Sequence, residues 1–219
     1  MRTLCSYKVD LIVVRDKHAG VPYQVAQASG VPVIDAGDGK HQHPTQALLD
    51  LYTIRENFGH LDGLKVAIVG ELSHSSVCGS LVPALKTMGA DVTLVGPPTF
   101  QVDDPDYYGV PQTADLDAVI PEMDVVYMLR VQLERMEGAA IPSRREYNRL
   151  WGLDMSRVER MKPEAIICHP GPMNRGMEIN ADVADCARSR ILDQVNAGVL
   201  TRMAEMYLLL GGENNGVSA

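Results

Sequence analysis

A chain of 219 residues, 46% hydrophobic and 5% aromatic, can bury a core and has room for one large domain or two small ones. A formal net charge of -8 argues against a general nucleic-acid surface but not against a local basic pocket for a small anion. Cys5, Cys78, Cys168 and Cys186 show no CxxC pair and no zinc spacing, so they read as reduced thiols of a cytoplasmic protein; no run reaches membrane-spanning length, and the start does not read as a signal peptide.

Short apolar runs alternate with helix formers, the pattern of an α/β protein. Residues 3–7 look like the end of a helix. Residues 9–14 form an apolar run that reads as a buried parallel strand, with Arg15 at its carboxyl end. Ligands bind at the carboxyl ends of strands in open α/β sheets, so Arg15 is a candidate anion contact, against the commoner surface ion pair. Residues 22–29 predict a helix stopped by Gly30, and residues 31–34 a strand. Asp38 and Gly39 turn the chain into a helix running from Pro44 to about Phe58, with Gly59 as its stop. Pro44 suits the first helical position, because it has no N–H to leave orphaned there. His43 is then the N-cap and Gln46 the third helical residue, both beside free N–H groups and the positive end of the helix dipole. His43 can donate to a carbonyl oxygen, and the Gln46 amide can donate and accept. That suits a small polar carbonyl compound; a capped helix with a solvated histidine explains the stretch equally well.

Residues 65–70 and 91–96 read as strands, with a polar loop over 71–76, a helix over 80–88 and Gly89 as its stop. The likeness to a dinucleotide site is superficial. Gly70 and Gly79 alone echo the glycine fingerprint, and Gly96-Pro97 stand where a ribose-binding acid belongs. A short helix over 115–120 precedes a strand over 125–129. Past its carboxyl end, Arg130 and Gln132 face the same way if extended. An Arg fork plus an amide suits an α-amino dicarboxylate. Glu134 and Arg135 read as internal ion-pair partners that fix that loop; a solvated charged loop is the bland alternative, but it leaves the strand-end placement unexplained. Residues 143–151 read as a solvated helix with Tyr147, Leu150 and Trp151 on its apolar side. A strand over 165–168 ends in His169-Pro170-Gly171-Pro172. Either X-Pro bond there is open to the cis form, and the rigid turn can aim carbonyls at a ligand NH₂. A plain loop with a buried His169 is the bland alternative. Residues 189–210 carry Ile191, Leu192, Val195, Val199, Met203, Met206 and Leu210 at helical spacing, which read as core-facing, with Gly198 as a point of interruption. Residues 211–219 read as a disordered tail.

Three sites thus stand at strand ends: His43/Gln46, Arg130/Gln132 and Pro170/Gly171. Four motifs follow one another in order: Ala36-Gly37-Asp38-Gly39, His43-Pro44-Thr45-Gln46, Arg130-Val131-Gln132-Leu133-Glu134-Arg135 and His169-Pro170-Gly171-Pro172. With them the sequence from about residue 3 to 210 resembles the aspartate carbamoyltransferase family, the catalytic chain of pyrimidine synthesis. The ornithine-specific paralogue shares the fold, and the Arg-Val-Gln loop looks like the aspartate form. The resemblance implies an α/β architecture of two parallel-sheet domains, the first incomplete. A remnant of a carbamoyl-phosphate-binding domain with its linking helix would span 1–60, and an aspartate-binding domain 61–189. A helix over 190–210 would return to the first domain, and 211–219 would be the tail. The implied reaction moves a carbamoyl group from carbamoyl phosphate to the amine of L-aspartate, giving N-carbamoyl-L-aspartate and phosphate. It needs no metal, cofactor or covalent intermediate.

In that scheme Arg15 and His43 contact carbamoyl phosphate, and His43 polarises its carbonyl. Gln46 and the carbonyls of Pro170 and Gly171 hold the carbamoyl NH₂. Arg130 and Gln132 bind the aspartate carboxylates, and Arg202 helps tie the last helix to the body. Catalysis is orientation plus charge stabilisation. The family forms trimers with shared sites, so a homo-oligomer is expected, with no nucleic acid or membrane partner.

Three departures stand out. The family has an N-terminal stretch with a Ser-Thr-Arg-Thr phosphate loop and a loop lent to the neighbouring subunit. This sequence starts inside that domain, so unpaired strand edges are expected. In His74-Ser75-Ser76-Val77-Cys78-Gly79-Ser80, Ser76 stands where an aspartate-binding arginine is expected, and Gly79 replaces a second. Losing one charge-assisted contact costs about 1.5–3 kcal/mol, roughly tenfold to a hundredfold in binding. Asp16-Lys17 follow Arg15 where the family usually has His-Pro. The alternative reading is therefore a non-catalytic carbamoyltransferase-like protein that binds a partner chain. Arg15, His43, Gln46, Arg130 and Gln132 favour the enzyme; the missing phosphate loop and Ser76 favour the alternative.

Overall fold

The computed structural model describes residues 2–104, 106–132 and 143–211. The chain opens with helix α1 (Arg2–Ser6), strand β1 (Ile12–Asp16), helix α2 (Val21–Ser29), strand β2 (Val33–Asp38) and helix α3 (Pro44–Phe58). β1 and β2 pair in parallel, with Ile12 opposite Val33, as a two-stranded sheet among the described residues. Pairing starts where the Ile12 N–H donates to the Pro32 carbonyl, so β1 begins later than the apolar run that predicted it. It is also not a buried strand. Val13 is mostly exposed, because side chains alternate along a strand and the Val13 face has no packed layer on it among the described residues.

Beyond α3 come β3 (Lys65–Val69), α4 (Ser76–Thr87), β4 (Asp91–Val95), β5 (Gln112–Thr113), α5 (Leu116–Val119) and β6 (Val125–Met128). They are followed by α6 (Arg144–Trp151), α7 (Met155–Val158), β7 (Ile166–Cys168), α8 (Ala181–Ala184) and α9 (Ile191–Leu209). The strands make a five-stranded parallel sheet in the order β5-β4-β3-β6-β7. Val66 and Ile68 of the central strand pack with Ile54 of α3 and Leu81 and Leu85 of α4. Ala67 and Val69 point the other way, against Leu116, Val158, Ile179 and Val183. A parallel sheet covered on both faces needs apolar side chains at every strand position, which is why these runs were legible.

Helix starts follow their caps. α4 begins at Ser76, four residues before its predicted start, because the Ser75 hydroxyl accepts from the Cys78 N–H at 3.3 Å. Asp115, Ser143 and Asp154 cap α5, α6 and α7 in the same way. α7 and α8 went unpredicted, since four residues carry too little periodicity. On α6, Tyr147 is fully buried and Leu150 is exposed.

Gly79 has a steric reason to be glycine. A Cβ there would fall 1.9 Å from the His41 carbonyl oxygen, so α4 presses backbone to backbone on the loop before α3. Gly79→Ala is expected to destabilise the chain by about 1–3 kcal/mol through overpacking. An unchanged melting temperature would refute that packing.

α9 departs from expectation twice. It runs unbroken through Gly198, where a Cβ would come within 3.3 Å of Leu49 Cδ2 on α3. Its apolar stripe is also not core-facing. Ile191 is buried, but Leu192, Val195, Val199, Met203, Met206 and Leu210 are exposed, Leu192 at 80%. The helix meets the body through Gln194, Ala197 and Gly198, small or polar residues that allow close approach and turn the large side chains outward. Glu134, Arg135 and residues 212–219 of the predicted tail lie outside the described residues. All four cysteines are free thiols. No helix among the described residues is long and apolar enough to cross a membrane.

Candidate active site

The carboxyl ends of β1, β2, β6 and β7 and the amino ends of α3 and α4 meet at one cleft. Arg15 is the penultimate residue of β1 and lies across Gly37, with its guanidinium donating to the Ala36 carbonyl at 3.2 Å. Gly39 lets the loops after β1 and β2 cross. Its φ is +60°, and a Cβ would sit 2.8 Å from the Lys17 carbonyl oxygen. The crossing is locked by the Gly39 N–H donating to the Asp16 carbonyl and the Gly20 N–H to Asp38 Oδ1, at 2.8 and 2.7 Å.

His43 is the N-cap residue of α3, followed by Pro44 at the first helical position. Its side chain makes no capping bond, so the imidazole is not spent on the helix. Its backbone N–H donates to Ser80 Oγ at 2.8 Å, which ties the cap to α4. Burial, then the cationic Arg15 and Arg202 nearby, push the imidazole down to about 4, so it is neutral at physiological pH. Thr45 Oγ1 lies 3.5 Å from His43 Nδ1. With Nδ1 accepting from that hydroxyl, the proton sits on Nε2, which is then a neutral donor suited to a carbonyl oxygen.

The turn after β7 is pinned from below. The Gly171 N–H donates to His169 Nδ1 at 2.9 Å, and the His169 N–H donates to Gln194 Oε1 at 2.9 Å. His169 Nε2 faces Glu178 Oε1 at 3.3 Å inside the core. His169 is thus the buried, hydrogen-bonded histidine of the bland reading, and its job is to shape the turn. The Gly171-Pro172 bond is cis.

The cleft holds about 640 Å³ and is lined by Arg15, His43, Gln46, Ser76, Arg130, Gln132, Pro170 and Gly171, so every residue put forward from the sequence reaches one cavity. Two further cations, Lys17 and Arg202, stand in its wall. The Arg202 guanidinium bonds the Gly198 carbonyl of its own helix at 3.0 Å. It faces the cavity, where a tie to the body of the protein was expected. With Arg15, Lys17, Arg130 and Arg202 against Asp16, the lining favours a ligand with several negative charges. Ser76, the first residue of α4, offers a hydroxyl where a guanidinium was expected. No motif marks Lys17; a lone basic residue after a strand reads as solvated. Asp50, buried beneath Gln46, was also passed over, although its four-residue spacing from Gln46 was visible. Among the described residues, no group of three or more His, Cys, Asp or Glu is placed to hold a metal ion.

Residues 1–56 match the carbamoyl-P binding domain of aspartate/ornithine carbamoyltransferases, and residues 62–209 match their Asp/Orn binding domain. The aspartate carbamoyltransferase catalytic subunit of Salinispora tropica is 54% identical over 215 residues, covering 97% of this chain and 70% of that protein. That of Thermobifida fusca is 53% identical over 210 residues, covering 96% and 67%. Among solved structures, aspartate transcarbamoylase of Trypanosoma cruzi with carbamoyl aspartate and phosphate superposes with a TM-score of 0.83 at 30% identity, covering 94% of this chain and 67% of that one. The catalytic subunit from M. jannaschii gives 0.81 at 33% identity, covering 99% and 71%. The chain thus spans about two thirds of the length of the proteins it matches, and it belongs to the aspartate/ornithine carbamoyltransferase family.

Proposed function

We propose that this chain acts as an aspartate carbamoyltransferase, moving the carbamoyl group of carbamoyl phosphate to the amine of L-aspartate. The observation that carries the reading is the convergence of a neutral N-cap histidine, an amide and four cations on one cleft. Arg15 meets the phosphate end. His43 donates to the carbamoyl oxygen, and that bond strengthens as the carbon becomes tetrahedral and the oxygen gains charge. Gln46 and the carbonyls of Pro170 and Gly171 take the carbamoyl NH₂. Arg130 and Gln132 take the aspartate carboxylates and aim the amine at the carbamoyl carbon; phosphate then leaves. Residues 1–60 serve as the carbamoyl-phosphate unit, 61–189 as the aspartate unit and 190–210 as the helix returning to the first. The Trypanosoma cruzi neighbour binds N-(phosphonacetyl)-L-aspartic acid, which joins mimics of both substrates in one molecule. A calorimetric titration of this chain with that compound tests the reading: saturable one-to-one binding, competed by carbamoyl phosphate, is expected. A folded chain that takes up none would refute it.

Ser76 sets the affinity on the aspartate side. Ser76→Arg is expected to tighten aspartate binding roughly tenfold to a hundredfold, the worth of one charge-assisted contact. An unchanged aspartate affinity would sink that role. A cytoplasmic, oligomeric protein completes the proposal. The free cysteines support the first, and the exposed apolar stripe of α9 supports the second and keeps a partner-binding role open to test.

A further inference from the structure

Asp50 sits in an apolar stretch of α3, Leu48-Leu49-Asp50-Leu51, with no exposed surface. Three side chains converge on it. Gln46 Nε2 donates to Oδ1 at 3.0 Å, Gln194 Nε2 donates to Oδ1 at 2.7 Å, and the Tyr127 hydroxyl donates to Oδ2 at 2.7 Å. They come from α3, α9 and β6. Stability alone gives little reason for an acid here. A buried carboxylate loses its hydration, and a well-packed apolar side chain is often as stable or more so.

The consequence lies in the amide of Gln46. A glutamine amide can present either its oxygen or its NH₂, and the two differ by a flip. A carboxylate is an acceptor, so it holds the NH₂. Gln46 also lines the cleft, so the acceptor it can offer there is Oε1. Gln194 is fixed in the same sense, with Nε2 on Asp50 and Oε1 accepting from the His169 N–H. Asp50 thereby sets the hydrogen-bonding polarity of the cleft floor and links it to the turn after β7.

We propose that Asp50 is a positioning residue: it holds the Gln46 amide oxygen toward the cleft, so the site selects a phosphorylated carbonyl compound whose remaining substituent is NH₂. The inference rests on the functional reading above. It goes beyond it by assigning the selection to a residue that touches no substrate.

The test is a ratio of affinities. Acetyl phosphate has CH₃ where carbamoyl phosphate has NH₂ and otherwise the same shape and charge. Calorimetry should show the unmodified chain preferring carbamoyl phosphate roughly tenfold or more, the worth of the hydrogen bond that only the NH₂ makes. In Asp50→Leu no acceptor is left for the Gln46 NH₂, so the amide is free to flip, and the preference should fall toward onefold. Asp50→Asn keeps an Oδ1 that can accept from Gln46 and Gln194, with its NH₂ turned to the Tyr127 hydroxyl; it should keep the preference. A folded Asp50→Leu chain that keeps the full preference would overturn the inference, as would equal loss in both variants. A wild-type chain that binds neither compound would overturn the functional reading first, and this inference with it.

Should Asp50→Leu fail to fold, Asp50→Ala is the second variant. It too removes the carboxylate that holds the Gln46 NH₂, and the same fall in preference is expected. A folded Asp50→Ala chain that keeps the full preference would contradict the assignment.

Discussion

His43→Ala is expected to lower kcat by about 10²–10³ in a chain that still folds, the usual cost of removing one donor from a developing oxyanion. The size follows from placement. The imidazole is half-buried at the amino end of α3, flanked by Arg15 and Arg202, and it donates as a neutral group because its pKa is pushed down to about 4. No capping bond is lost with it, so the helix should survive the change. Steady-state kinetics at saturating substrates would decide the matter: a loss of less than about threefold would remove His43 from the oxyanion role. The same shift bears on stability. The folded value lies below the ordinary 6.5, so His43 favours folding above pH 6.5 and that contribution is lost as pH falls toward 4. Asp50 acts oppositely. Raised from 3.8 to about 7, it favours the fold at low pH and loses that contribution as pH rises through 7.

Arg130→Gln should strike the other substrate. Truncating one member of a charge pair costs about 2–5 kcal/mol, so KM for aspartate is expected to rise roughly thirtyfold or more. Carbamoyl phosphate affinity should hardly move, because Arg15, His43 and Gln46 stand on β1 and α3. Ser76 adds no positive charge on the aspartate side, which leaves Arg130 with a larger share of the carboxylate binding. An unchanged KM for aspartate would contradict this assignment, and so would equal weakening of both substrates.

Much of this was legible in the sequence because the physics there is local. Pro44 and Gly59 bracket α3 as read, since a missing N–H and a left-handed C-cap are properties of single residues. Runs such as Val66 to Val69 announced strands buried on both faces. Strand ends then put Arg15, Arg130 and Pro170 forward as ligand contacts before any contact was known. What stayed hidden depends on the third dimension. The start of α4 moved because the Ser75 side chain folds back onto Cys78. The face of α9 was misread because helical spacing finds an apolar stripe without saying whether anything covers it. Gly79 looked like a lost arginine, and its second meaning, room for the His41 carbonyl, exists only once α4 and the loop before α3 are packed. Lys17 and Asp50 belong to no motif, and Arg202 was read as a tie to the body. Each gains its role from which wall of the cleft, or which buried donors, the fold brings beside it.

The central claim is that one cleft, with His43 at its centre, joins carbamoyl phosphate to aspartate. The most direct measurement is carbamoyl-aspartate formation by the purified 219-residue chain given both substrates, run beside the same chain carrying His43→Ala. The account predicts product from the unmodified chain and a loss of about 10²–10³ in the variant. A folded chain that forms no product, or one whose activity ignores His43, would contradict it.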